Sequence, residues 1–384
     1  MLNRMSSILS ISLILAASTA LAQDAPDIKI AQARGLAAAP TAAAEGEQDR
    51  SSRVNNWTVG VASGALEGTF IRFGADLGKA LDDGEKLRIL PIVTYGAGEN
   101  ISDLLYLKGV DIAITDADVF EEYKKDHAFG NIEKRINYIS EMYIAEFHVL
   151  ARPEIKSLRD LEGKRVGFNV KGSAANITGK IVFERLGINI QPVFINNSFG
   201  VEQMRTGEMA AIVHTVGKPN DLFKKETGKD GFHFLTTPYD AKFSDYYLPT
   251  TLTPEDYPTL IKAGETIETI GVPVVLAVYN WQTSSDRFRR VERFIQYYFD
   301  RFENMRKPPY HAKWKEINLA AKVPGWNRYW VADELVKKMA TADSSRSLTA
   351  STSPPASITG SGGTSSETDP IYREFLEWRK KQAK

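Results

Sequence analysis

The chain has 384 residues, 43% of them hydrophobic, which is length enough for two to three domains with real cores. Lys plus Arg and Asp plus Glu both number 48, so the formal net charge is zero, and there is no clustered basic run. That excludes an electrostatic binder of nucleic acid. Cysteine is absent, which excludes a lipoprotein anchor on cysteine, a disulfide framework, thiolate metal sites and a cysteine nucleophile.

The first residues read as an export signal. Arg4 supplies a positive start, Ile8 to Ala17 a short apolar run, and Ala20-Leu21-Ala22 the small-x-small pattern that places cleavage after Ala22. The run is shorter than the roughly 20 apolar residues a spanning helix needs. The expected compartment is the periplasm. Residues 23–53, rich in Ala, Gln, Glu and Gly without an apolar period, read as a flexible linker.

A strand-then-helix rhythm follows. Strands are expected at Trp57–Ala62, Leu87–Val93 and Val110–Thr115, with helices at Gly68–Leu81, Glu99–Lys108 and Ala117–Lys125 between and after them. Ile136–Ile139 and Phe147–Ala151 read as two further strands. A second series begins at the capping-box-like Ser157-Leu158-Arg159-Asp160. It continues with strands at Arg165–Val170, Gln191–Phe194, Ala210–His214 and Phe232–Leu235, and helices at Ser173–Leu186, Phe199–Thr206 and Pro219–Thr227. Val272–Tyr279 is a long β-branched strand, followed by a helix over Asp286–Arg306.

The alternation implies an α/β fold with mostly parallel sheet. The chain is expected to build one lobe from residues 54–146 and 272–342, and a second from 147–271. The crossings near Phe147–Arg152 and Val272–Tyr279 would form a two-strand hinge. Beyond Lys307 the reading is helical, with Trp314, Trp326, Tyr329 and Trp330 packing on the first lobe. Residues 343–370, dominated by Ser, Thr, Gly and Pro, read as a disordered linker. Residues 371–384 read as an amphipathic helix, with Ile371, Phe375 and Trp378 on one face.

In open α/β sheets, ligands bind beyond the C-terminal strand ends, where the next helices present free amide groups. Four such junctions carry turn chemistry: Val61 to Phe70, Tyr95 to Asn100, Val170 to Asn176 and His214 to Pro219. Each could aim amides and hydroxyls at an anion, and Lys171 adds a full positive charge. Ser63, Thr69 and Ser173 are also ordinary N-cap residues, and the glycines ordinary turn residues.

The five histidines include no pair at metal-ligand spacing with a carboxylate cluster. His148 and His214, near cleft-facing strands, read first as structural hydrogen-bonding residues, with Glu146 on the face of His148. No nucleophile elbow, phosphate loop or dinucleotide fingerprint occurs. No catalytic residue, metal or cofactor is expected.

In order along the chain, these junctions resemble the TAXI-type solute-binding subunits of TRAP transporters. Ser63, Gly64, Gly68, Thr69 and Phe70 fit that family's first glycine-rich turn, and Gly96, Glu99 and Asn100 its second. Gly109, Asp111 and Ala113, ahead of Asp118, fit a Gly-x-x-Asp-x-Ala segment. Ser157 to Val166 is similar to the entry to the second lobe, and Gly172 with Ser173 fits the ligand loop. The similarity covers about Trp57 to Arg306.

The resemblance implies a two-lobed type II periplasmic-binding-protein fold with a two-strand hinge and added C-terminal helices. It also implies capture of a small organic acid or amino-acid-like ligand, and membrane permease subunits as partners. Expected ligand contacts are Ser63, Gly64, Gly68, Thr69, Glu99, Asn100, Gly172 and Ser173, then Asp116, Lys171 and His214. Four positions depart from the pattern: Ile71, Ala97, the pair Asp116-Ala117, and Ala175. Several neutral donors are thereby lost and a carboxylate gained, which implies a ligand other than the family's usual one, such as one bearing an amine that meets Asp116 or Glu67. The chain is expected to be a monomer. A periplasmic sensor or signalling scaffold, or an enzyme on the same fold, stays open beside transport.

Overall fold

A computed structural model describes residues 42–350 except 85, 127, 128 and 227. The export signal, the expected tail helix at 371–384, most of the Ser/Thr linker and His127 lie outside the described residues. Contacts divide the chain into a unit of Met1–Asp49 and a unit of Arg50–Lys384. Helix α1, Ala42–Asn56, falls on the division. The linker expected over 23–53 is therefore helical from Ala42, in keeping with its Ala, Glu and Gln, which are good helix formers.

The larger unit opens with β1 (Thr58–Ala62), α2 (Thr69–Leu81), β2 (Arg88–Ile92), α3 (Ala97–Tyr106), β3 (Ile112–Asp116) and α4 (Ala117–Asp126). The next strand, β4, runs unbroken from Ile136 to Ala151. Then come β5 (Arg165–Gly167), α5 (Ala174–Leu186), β6 (Gln191–Val193), α6 (Asn197–Thr206), β7 (Ala211–Val216), the short α7 (Asp221–Lys224), β8 (His233–Phe234) and β9 (Leu248–Leu252). The chain returns through β10 (Ile267–Tyr279), α8 (Asp286–Met305) and α9 (Trp330–Ala350).

The strands join in the order β2-β1-β3-β10-β4-β7-β5-β6, with β8 on β4 and β9 on β10. Pairing is parallel within β2-β1-β3 and within β7-β5-β6. The two parallel groups are joined by antiparallel β10 and β4. Each group has its first strand in the middle; β10 joins the first group through β3, β4 joins the second through β7, and the two crossing strands pair with each other. This is the two-lobed type II arrangement with a two-strand hinge.

The expectation of two separate strands at Ile136–Ile139 and Phe147–Ala151 is corrected by β4. Ser140, Glu141 and Glu146 break the apolar pattern between them, but two of these polar side chains are satisfied inside the fold. Ser140 pairs with the Tyr298 hydroxyl at 2.9 Å, and Glu146 accepts from Lys313 Nζ at 2.9 Å and from the Lys218 amide at 2.8 Å. β9, a Pro- and Thr-containing stretch, gave no strand signal. α9 likewise runs from Trp330 to Ala350, into the stretch from Asp343 expected to be disordered.

α8 shows its face plainly: Phe288, Val291, Phe294, Ile295, Tyr298, Phe302 and Met305 are buried at three- and four-residue intervals. At the flank of that face Arg290 reaches Asp111 in two bonds of 2.7 and 3.1 Å, and buried Asp111 also accepts from the Gly60 amide. The C-terminal aromatics close the first lobe. Trp314 sits against Phe73 and donates its indole N–H to Asp76, while Trp326 stacks on Phe120. Ser157 forms the expected capping box with Asp160.

Lys313 and Glu146 are 4% and 3% exposed, so the ion pair between them lies in the interior, where β4 passes from one lobe to the other. Lys313 also bonds the Ile144 carbonyl and Glu316. Removing one partner leaves a buried charge uncompensated. Lys313→Ala is expected to cost about 3–5 kcal/mol in urea unfolding, and Lys313→Met combined with Glu146→Gln to recover most of that loss. Equal losses in both variants would show that packing, not charge, holds this junction.

Candidate functional site

The four glycine turns stand at the C-terminal ends of β1, β2, β5 and β7. Gly64 has φ of +73°, and its amide donates to Thr94 Oγ1 at 3.0 Å. Gly96 has φ of +133°, and a Cβ there would stand 3.0 Å from the Ser173 Cα, so only glycine lets the two lobes meet at this place.

Between the turns lies a narrow cleft, partly open to solvent, with a cavity volume of about 40 Å³. As it stands the cleft has room for a few waters. The start of α2 supplies Gly68, Thr69 and Phe70, and the start of α5 supplies Ser173, Ala174 and Ala175. Gly64, Glu67, Tyr95, Gly96, Tyr143 and Asn169 line it as well, with Asn196, His214 and Thr215. Two helix N-termini from different lobes therefore face one cavity.

α5 is capped by Ser173, whose Oγ accepts from the Asn176 amide. α2 has Gly68 at its N-cap and no side-chain cap, so its first amides have no capping partner. The third candidate start, that of α3, is already filled: the Gly98 and Glu99 amides donate to the Gly172 carbonyl at 2.9 and 3.3 Å. An anion has no place there.

Several of the cavity's polar groups have no partner. Both His214 ring nitrogens and Thr215 Oγ1 are buried without a hydrogen bond, although both residues line the cavity, as does Tyr143, whose buried hydroxyl lies near Thr69. Burial lowers His214 to about 4, which makes it a neutral hydrogen-bonding group at neutral pH. Its cross-strand partner His148 is lowered to about 3, by burial and then by His214, and is fully bonded to the Glu146 carbonyl and the Tyr257 hydroxyl. Burial, and then Asp116, push the Tyr143 phenol well up.

The lobes also touch directly. Thr69 Oγ1 donates to the Gly217 carbonyl at 3.3 Å, and Ser198 Oγ to Glu67 at 2.8 Å. Asp118, at the start of α4, accepts from Thr178 at 2.7 Å and from Tyr247 at 3.0 Å. Burial raises Asp118 to about 6, opposed by these two bonds.

The expected site residues separate into those at the cavity and those away from it. Gly64, Gly68, Thr69, Ser173 and His214 line it. Gly172 lies beside it, its carbonyl bound to α3. Ser63 is buried and donates to the Val61 carbonyl, and Asn100 donates to the Ile114 carbonyl while accepting from Thr94. The Glu99 carboxylate turns back to the Tyr95 amide. Lys171 is exposed, its ammonium 5.4 Å from the Phe194 ring. Asp116 is fully buried, does not line the cavity and has no donor.

Tyr143, Asn169 and Asn196 were not among the residues read from sequence. Asn169 has the positive φ, +54°, that Asn tolerates after a strand, which is a usable signal. Tyr143 gave none, because it falls in the gap between the two strands expected there.

Among the described residues no group of three His, Asp or Glu side chains is placed to hold a metal, and no helix is long and apolar enough to cross a membrane.

A model described as the NMT1-like family matches residues 61–324. The chain belongs to the NMT1-like family. The matched stretch of this NMT1-like chain contains the four turns and both crossing strands. No curated protein matches the sequence. Among solved structures the chain is similar to a periplasmic transporter at 12% identity, over 76% of this chain and 96% of the other, with a TM-score of 0.46. It is similar to the periplasmic binding protein BugD at 12% identity, over 77% and 97%, with a TM-score of 0.45. It is also similar to the amino acid ABC transporter substrate-binding protein AbpA from Streptococcus pneumoniae, solved bound to L-arginine, at 14% identity over 66% and 92%, with a TM-score of 0.38.

Titration tests the buried imidazoles. In ¹⁵N spectra His214 and His148 are expected to stay neutral at pH 7 and to titrate near about 4 and about 3. Their folded values lie below the ordinary 6.5, so their contribution to stability is full above about pH 6.5 and is lost as pH falls through those values. The raised Asp116 and Asp118 act in the opposite sense, contributing fully below about pH 3.8 and losing that contribution as pH rises through about 6 for Asp118. A His214 midpoint near the ordinary value would mean that its ring reaches solvent.

Proposed function

We propose that the chain is an extracytoplasmic solute-binding protein. It traps a small carboxylate-bearing or amino-acid-like molecule between its lobes and passes it to a TRAP-type membrane permease. One observation carries the ligand-binding part: the N-termini of α2 and α5, one from each lobe, line the same cavity. Amides at a helix start favour negative charge and are fixed in place before the ligand arrives. A carboxylate touching both starts binds the closed arrangement better than an open one, and differential affinity of this kind is what drives closure.

Delivery to a permease, the periplasmic location and TAXI-type kinship rest on the turn-by-turn resemblance over Trp57 to Arg306, a stretch that overlaps the family match at 61–324. Support for solute binding over chemistry comes from the cavity's polar side chains, which apart from the Glu67 carboxylate are neutral hydroxyls, amides and an imidazole, with no nucleophile and base paired among them.

Ser173 gives a clean test. Asp, Asn and Ser cap helices about equally well, so Ser173→Asp keeps α5 but puts a negative charge on the cavity wall. In calorimetric titrations with small carboxylates and amino acids, Ser173→Asp is expected to weaken binding at least tenfold, about 1.4 kcal/mol. Ser173→Asn is expected to stay within about threefold of the parent. Unchanged binding by Ser173→Asp would remove the carboxylate from this place.

A further inference from the structure

We propose that Asp118 is a latch between the lobes, one that holds the cleft closed before a ligand arrives and so sets affinity from outside the cavity. The proposal concerns the regulation of the site described above; only its consequence for a ligand rests on the solute-binding reading.

Asp118 stands in the first turn of α4, in the first lobe. Its Oδ2 accepts two hydrogen bonds from the second lobe, one from the Thr178 hydroxyl on α5 at 2.7 Å and one from the Tyr247 hydroxyl just before β9 at 3.0 Å. All three residues are buried, and none of them lines the cavity. Other contacts across the seam are weaker. The Arg72 and Asp221 side chains, paired at 2.6 Å, are 58% and 55% exposed, and exposed Lys180 meets Glu122 at 3.8 Å. Water screens such pairs, and they hold little. Thr69 to Gly217 is a neutral bond at 3.3 Å. Bonds to a carboxylate are the stronger kind, and at Asp118 they are shielded from water.

The two donors move together. Arg185, near the end of α5, grips the segment that carries Tyr247. It bonds both carboxylate oxygens of Asp245 at 2.8 and 2.7 Å, the Lys242 carbonyl at 2.6 Å and the Tyr246 hydroxyl at 2.7 Å. Its guanidinium also lies 5.3 Å from the Tyr247 ring centre. α5 and this segment therefore form one body, and a movement of the second lobe carries both hydroxyls away from Asp118 at once. A contact made and lost as a unit gives two states, latched and open.

A guest held between the lobes needs the closed form, so its apparent affinity scales with the fraction of molecules closed. Weakening the latch then weakens every ligand by one factor, whereas a change in the cavity wall affects some ligands more than others. Two amides report the closed fraction with no ligand present. Gly98 and Glu99 of α3 donate to the Gly172 carbonyl of the facing lobe, and they lose it whenever the lobes part. Val61 in β1 and Val213 in β7 are buried inside the sheet, where their amides exchange only when a lobe unfolds.

The experiment is native-state amide exchange of the ligand-free full chain at pH 7, read by NMR. Tyr247→Phe and Thr178→Val are each expected to speed exchange at Gly98 and Glu99 about tenfold or more, and to leave Val61 and Val213 within about threefold of the parent. Thr178→Ser, which keeps the hydroxyl, and Arg72→Ala, at the exposed rim, are expected to leave all four amides within about threefold. Parental exchange at Gly98 and Glu99 in both Tyr247→Phe and Thr178→Val overturns the latch. Equal acceleration of all four amides overturns it too, because Asp118 would then support the fold and not the closure. Should Thr178→Val fail to fold, Tyr247→Phe, which removes a single oxygen, decides by itself. The solute-binding reading stands apart from these outcomes and is tested by the Ser173 titrations.

Discussion

Two strands carry the whole arrangement. β4 is about 50 Å long at roughly 3.3 Å per residue, and β10 runs beside it in the opposite direction. Each gives one end to each lobe, so neither lobe has a complete sheet without the other. The chain has no disulfide and relies on burial and paired polar groups at the junction. Glu146 shows the consequence. It lies opposite Gly271 on one side and Val216 on the other, and its carboxylate is held by Lys313 from the C-terminal segment and the amide of Lys218 from beyond β7. Three separate parts of the sequence are pinned to one buried charge at the point where the lobes part.

That geometry also decides where a ligand can act. The parallel strands of both lobes end toward the same cleft, so the turns after them face each other. The lobes already share hydrogen bonds there, from Thr69 to Gly217, from Asn220 to Glu67 and from the α3 amides to Gly172. Each such bond favours the closed form with no guest present, so a ligand has only to add to a standing set of contacts. The cost falls on one binding place: the start of α3, which the sequence offers as an anion site, is satisfied by a carbonyl of the facing lobe.

Much of this could be read without coordinates. The alternation of β-branched runs with three-and-four-spaced apolar residues gave the α/β class and, through the second series at Ser157, the two lobes. What escaped was long-range satisfaction. Glu146 looks like the end of a strand until Lys313, far along the chain, is seen to pair with it, and the splitting of β4 into two pieces hid Tyr143 as well. Ser63, Asn100 and Glu99 stand at the right turns, yet their side chains turn to Val61, Ile114 and Tyr95. A turn's position can be read from glycine and capping residues. Which way its polar groups point depends on contacts that local sequence does not contain.

The remaining point concerns how a cavity without a lining cation can hold a charged group. Full side-chain charges are strong but mobile, and Lys171, the cation nearest in sequence, lies out in solvent over Phe194. Helix starts carry only partial charges, yet the sheet and core on which α2 and α5 stand hold them fixed. In the buried part of the cleft such fixed dipoles act in a lower dielectric than water and lose nothing to reorganisation. Burial also makes the unpaired groups expensive: it keeps His214 neutral and holds Asp116 above the ordinary carboxylate range. Fixed helix starts and costly unmet polar groups both face the same cleft, and a guest able to answer both gains more than one that answers either.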